Sequence, residues 1–244
     1  MRMVVEQQPP RIVAISPDDG SAIDLRNPAL AALLSWAVPG LGQIYQGRTT
    51  KGSLFMAAIL ATFVFGLWLG GGKVVYASWA DDAPGGGRRP ILKLLIQPFV
   101  CQAAAGIVSL PALVQSVQLS GPMKQPFVLG GGILPVGFMA PPLVPGQEIS
   151  RVYADRLVRH DPDVAADDFF DSGPSKQFRR DQLANWHRRL GRFFEIGTLY
   201  TMLAGMLNLL VIYDAWAGPF GASEEEQRRR SNPPPPRSSG GRPS

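Results

Sequence analysis

The chain has 244 residues, of which 45% are apolar and 18% charged, with a formal charge of +5 and many Gly (27) and Pro (23). A single cysteine excludes a disulfide scaffold and a zinc-cysteine site. Charge below the roughly 25% of soluble domains, bunched so that long runs carry none, excludes a uniformly soluble globule.

Residues 1–26 are a polar N-terminal segment of mixed charge. No apolar run precedes Pro28, so the first span is expected to act as the insertion signal. Four uncharged runs follow: from Pro28 up to but not including Arg48, Gly52 to Gly72, from Leu94 up to but not including Lys124, and Ile196 to Tyr213. A bilayer core needs roughly 20 apolar residues as a helix. The runs therefore predict an all-α polytopic integral membrane protein with about four transmembrane helices. Gln125–Gln147 is a candidate fifth, irregular segment, because its Gly and Pro disfavour a helix.

Residues 27–72 read as a transmembrane helical hairpin. Asn27 and Pro28 suit a helix start, and Pro39 with Gly40 and Gly42 predicts a kink. Gly66 and Gly70 have the small-residue spacing that lets helix backbones approach in lipid. Residues 73–93 are a polar loop, and 94–119 are the third span, with Gln97 and Gln102 near one end. Residues 120–175 form a Gly/Pro-rich and acidic loop region carrying Asp161, Asp163, Asp167, Asp168 and Asp171, read as solvated. Residues 176–194 predict a basic amphipathic helix, with Leu183, Trp186, Leu190 and Phe193 at spacings of three and four. Gly191 bends it into the last span, 195–218. There Gly197, Thr201 and Gly205 lie four apart, Asn208 wants a partner across helices, and Asp214 falls near the far end. Residues 219–244 have the composition of a disordered tail.

Charge counts alone do not orient four spans, but the densest cationic run near a span, Lys176 to Arg192, predicts that this cluster is cytoplasmic. The net positive charge reads as headgroup-facing and not as a nucleic-acid signal. Arg48, Lys51, Arg179, Arg180, Arg188, Arg189 and Arg192 are the candidate headgroup contacts.

The stretch Pro39-Gly40-Leu41-Gly42-Gln43-Ile44-Tyr45-Gln46-Gly47, followed by Lys51-Gly52, resembles the two-helix transmembrane hairpin domain. The family's Asp-Arg-Phe element is absent, since Arg48 is followed by Thr49. With residues 197–219, the hairpin also resembles a planctomycete-type bacterial family of uncharacterised membrane proteins. The resemblance implies multi-pass placement in a bacterial inner membrane and no known activity. Gly40, Gly42, Gly47 and Gly52 are read as allowing a tight reversal with close helix contact.

No phosphate-loop, nucleophile-elbow or HExxH pattern occurs, and the two histidines are 27 residues apart. No catalytic, cofactor-binding or metal residue is assigned. The expected role is a structural, assembly or accessory component. Its partners are the lipid bilayer and a membrane protein or second copy. The alternatives are a transporter or channel subunit using Asn208 and Asp214, and a membrane-embedded enzyme acting on lipid headgroups.

Overall fold

The computed structural model describes residues 13–15, 22–24, 27–78, 98–119 and 137–218. Two short strands, β1 (Val13–Ile15) and β2 (Ala22–Asp24), pair antiparallel ahead of the helices. Helix α1 (Pro28–Ala37) starts as its sequence dictates: the Asn27 side chain accepts from Leu30 N at 3.2 Å. It stops before Pro39, and Gly40, in the left-handed region at φ 82°, redirects the chain into α2 (Leu41–Tyr45). Helix α3 (Thr49–Leu69) then runs unbroken for 21 residues.

After residues outside the description come α4 (Pro98–Ala103), a 3-10 turn at Ile107–Ser109, and α5 (Leu110–Leu119). Strand β3 (Glu148–Ser150) leads into α6 (Arg151–His160), which is capped by the Ser150 side chain. Strands β4 (Phe169–Ser172) and β5 (Ser175–Phe178) complete a three-stranded antiparallel sheet in the order β3-β5-β4. Helix α7 (Gln182–Leu190) ends at Gly191, whose φ of 52° turns the chain into the 26-residue α8 (Arg192–Ala217).

Two apolar clusters organise these elements. One joins α3, α5, α7 and α8 through Ile59, Phe63, Ala112, Trp186, Phe194 and Ala204, with Phe99 of α4 packed against it. The other lies under the sheet and α6, around Leu143, Ile149, Tyr153, Leu157 and Phe178. Burial, with Asp161 nearby, raises the Tyr153 phenol well above its ordinary range.

The architecture is mostly helical, but all-α is corrected by the two small antiparallel sheets. Four spans are corrected as well. Among the described residues two helices, α3 and α8, are long and apolar enough to cross a membrane. The first uncharged run is cut by Pro39 and Gly40 into helices of 10 and 5 residues. The third is cut at Gly106, which has φ 91°, into α4 and α5. Absence of charge marked both runs as apolar without making either a continuous helix. The basic helix expected from residue 176 begins at Gln182, because Ser175–Phe178 is claimed by β5. The region read as a loop contains β3, α6 and β4. Its Asp161 and Asp168 are buried, not solvated. Most of the candidate fifth segment, and the tail, lie outside the described residues.

Candidate functional site

Polar side chains inside an apolar helix bundle need partners, because each unmet group is costly away from water. Helix α8 carries three such residues on its buried face, Thr201, Asn208 and Asp214. A spacing of seven keeps Thr201 and Asn208 on one stripe, while Asp214, six residues on, lies about 120° round the helix. Each meets a group from a different short helix or turn.

Asp214 is the most heavily engaged. Arg48 Nη1 stands 2.9 Å from its Oδ2, and Lys51 Nζ stands 2.8 Å from its Oδ1. Gln43 Nε2 donates to Asp214 Oδ2 at 3.2 Å and to the Val211 carbonyl at 2.8 Å. Ser35 Oγ donates to Gln43 Oε1 at 3.1 Å, which fixes the amide's orientation. One turn along α2, Gln46 Nε2 donates to the Ala215 carbonyl at 2.7 Å. The PGLGQIYQGR stretch is thus a clamp that grips the last turn of α8. The second cation leaves the cluster with a net positive charge.

Asn208 sits two turns deeper. Its Nδ2 donates to the Ser35 carbonyl at 3.1 Å and to the Ala104 carbonyl at 2.9 Å. Those carbonyls lie at the C-terminal ends of α1 and α4, where helices leave acceptors unfilled. One amide therefore ties both broken helices to α8. At Thr201, Gln102 Nε2 donates to the hydroxyl at 2.8 Å and to the Val74 carbonyl at 3.0 Å. Gln102 is fully buried at that level.

The small residues sit where backbones touch. A Cβ on Gly66 would lie 2.8 Å from the Gly197 carbonyl, and one on Gly197 would lie 2.9 Å from Gly70 N. Gly205 faces the Cys101 carbonyl on α4, Gly42 faces Ala31 on α1, and Gly40 and Gly52 face each other. Gly47 differs: nothing lies within 4 Å of a Cβ there, and its φ of 85° is what calls for glycine.

Of the seven candidate headgroup cations, Arg48 and Lys51 hold Asp214. Arg179 lies over the Phe170 ring at 3.7 Å, Arg180 Nε is 2.6 Å from Asp168 Oδ1, and Arg189 pairs with Asp163. Arg188 and Arg192 are exposed and have no ion-pair partner among the described residues. At the same end of the bundle, Lys73 Nζ reaches the buried Asp161 at 2.6 Å and lies over the Trp186 ring at 5.4 Å. That pair pins the exit of α3 to the sheet-and-helix unit.

Sequence reasoning missed Ser35, Gln43, Gln46 and the Lys73–Asp161 pair. The signal for the first three was three polar residues inside an otherwise apolar run. Beside α8 a cleft of about 570 Å³ opens between α4, the 74–78 segment and α7. Among the described residues no group of three His, Cys, Asp or Glu side chains converges as a metal site.

The sequence model of a family of unknown function (DUF6677) matches residues 30–228. No curated protein and no solved structure matches the chain.

Proposed function

The chain belongs to that family of unknown function, and from this premise we propose that it is an integral membrane protein in which α3 and α8 form an antiparallel spanning pair. The supporting observation is where the large apolar side chains point. Leu54 (66% exposed), Trp68 (72%) and Leu199 (62%) face outward, while the polar residues of α8 face inward. In water that arrangement is inverted, since exposed apolar patches of this extent mark an interface with lipid or protein. From Ile196 to Asp214 the rise is about 27 Å, close to the hydrocarbon thickness.

The role this favours is a structural, assembly or accessory component of the membrane. At depth on α8, Thr201 through its hydroxyl, Asn208 through its amide N–H and Asp214 through its carboxylate hold neighbouring helices together. Asn208 and Asp214 are occupied by Ser35, Ala104, Gln43, Arg48 and Lys51. That favours helix packing over a solute path.

Fractionation with alkaline carbonate, followed by crosslinking in native membranes and mild detergent extraction, tests both parts. The expected result is a carbonate-resistant chain that crosslinks to one discrete partner or to a second copy. A chain released by carbonate contradicts the membrane reading. Monomer alone across several detergents contradicts the assembly role.

A further inference from the structure

Among the described residues Asp214 is the one carboxylate that meets two cations, Arg48 and Lys51. Every other paired carboxylate there meets one. The Asp214 cluster therefore holds a positive charge in excess. An uncompensated charge at the end of an apolar bundle is costly and calls for an anion from outside.

The donors that could meet it lie on one side. Arg48 is committed inward, with its side chain 10% exposed; its Nη1 is buried and lacks a hydrogen-bond acceptor, although Asp214 Oδ2 stands 2.9 Å away. Lys51 is 38% exposed. One of its three ammonium donors serves Asp214 Oδ1. Lys51 belongs to the first turn of α3, which opens with no side-chain cap and no acidic residue. The first N–H groups of a helix have no acceptor within it, and that end attracts anions. Thr49 and Thr50, both exposed, add two hydroxyls.

The position along the bundle identifies the anion. Asp214 stands at the end of the apolar stretch of α8, and hydrocarbon-facing surface begins beside it: Leu54, one turn after Lys51, and Tyr213 and Trp216 are exposed. Exposed Tyr and Trp rings favour the headgroup level. The anion a bilayer presents at that level is a lipid phosphate.

We infer that the open side of this cluster binds the phosphate of one anionic glycerophospholipid, received by Lys51 and the first turn of α3 with Arg48 behind them. The inference rests on the membrane reading above. A zwitterionic lipid brings its own ammonium, so the excess charge selects an anionic headgroup. Phosphate is the shared chemistry, and free phosphate is the other source of it.

The full chain in mild detergent is stripped of lipid and titrated, under native mass spectrometry, with phosphatidylglycerol, phosphatidylcholine or inorganic phosphate. One phosphatidylglycerol should bind more tightly than phosphatidylcholine. Lys51→Gln should weaken phosphatidylglycerol about fivefold, and Lys51→Arg should restore it. The T49V/T50V double variant keeps the Asp214 contact and should also weaken it. Arg188→Gln, at the other end of α8, should change nothing. Equal affinity for the two lipids overturns the inference. So does unchanged affinity in both Lys51→Gln and T49V/T50V. Inorganic phosphate that displaces the lipid at equal concentration assigns the site to free phosphate and overturns the lipid source. A photo-crosslinker at position 50 that captures a protein in native membranes overturns it as well. A chain released by alkaline carbonate would instead remove the membrane reading itself.

Discussion

Lys51 and Asp214 are 163 residues apart in sequence and 2.8 Å apart in space. The contact joins the first turn of α3 to the last turn of α8, and Arg48 reinforces it from the other carboxylate oxygen. Asp214 is 3% exposed, Arg48 10% and Lys51 38%, so the three do not contribute equally. Removing one member of a buried pair leaves an unmatched charge and costs about 3 kcal/mol. Asp214→Asn leaves two cations without their anion and should lower the thermal midpoint in detergent most; Arg48→Gln leaves the carboxylate with the more exposed Lys51 and should cost less, and Lys51→Ala, which keeps the more buried Arg48 pair, least. Equal effects for Lys51 and Arg48 would show that burial does not set the order.

Helices α3 and α8 approach backbone to backbone at Gly66 and Gly197. A methyl on Gly66 would sit 2.8 Å from the Gly197 carbonyl and 2.9 Å from Thr201 N, both on backbone that cannot step aside. Gly66→Ala should cost about 1–3 kcal/mol, the usual range for overpacking. Gly47→Asn is the control: the site is open, and asparagine tolerates the left-handed region. Thermal unfolding of the two variants should separate them clearly.

Asn208→Leu keeps the branched heavy-atom shape but removes the donor shared by Ser35 and Ala104. Two buried carbonyls lose a partner, at about 1–3 kcal/mol for each group left unmet. Hydrogen exchange should rise around residues 35–38 and 104–106, where α1 and α4 end, while the middle of α3 stays protected. Uniform exchange across all helices would contradict a local tie.

Outside the spanning pair, the Lys176 ammonium hydrogen-bonds Asp155 at 2.8 Å and holds its carboxyl below the ordinary carboxylate range. The stabilisation this gives is present above the ordinary carboxylate value and is lost as pH falls through the lowered one. Lys176→Gln should move the Asp155 titration up toward the ordinary carboxylate range, read by carboxyl NMR. No upward movement would mean that the contact does not persist in solution.

Much of this was legible in the residues. The uncharged runs at Gly52 to Gly72 and Ile196 to Tyr213 marked α3 and α8 because no Pro interrupts either. Pro39 marked the break after α1, and Gly191 the turn before α8. Pairings were not legible. Arg48 and Lys51 followed by a turn look like headgroup cations until α8 brings Asp214 against them. Asp161 looks solvated until Lys73, 88 residues earlier, neutralises it. The strands of the β3-β5-β4 sheet have three or four residues each, too few to show an alternating pattern. Gln43 and Gln102 sit inside apolar runs, and only the packed bundle shows which carbonyls and hydroxyls they serve.

The central claim is that the outward apolar faces of α3 and α8 meet hydrocarbon. Val64 and Leu209 are 60% and 52% exposed, so in water a cysteine at either would react quickly. In a Cys101→Ser background, single cysteines at positions 64 and 209 are treated with a water-soluble maleimide in intact membranes. The account predicts that both stay unlabelled until the protein is denatured; rapid labelling of both in the native membrane fraction would contradict it.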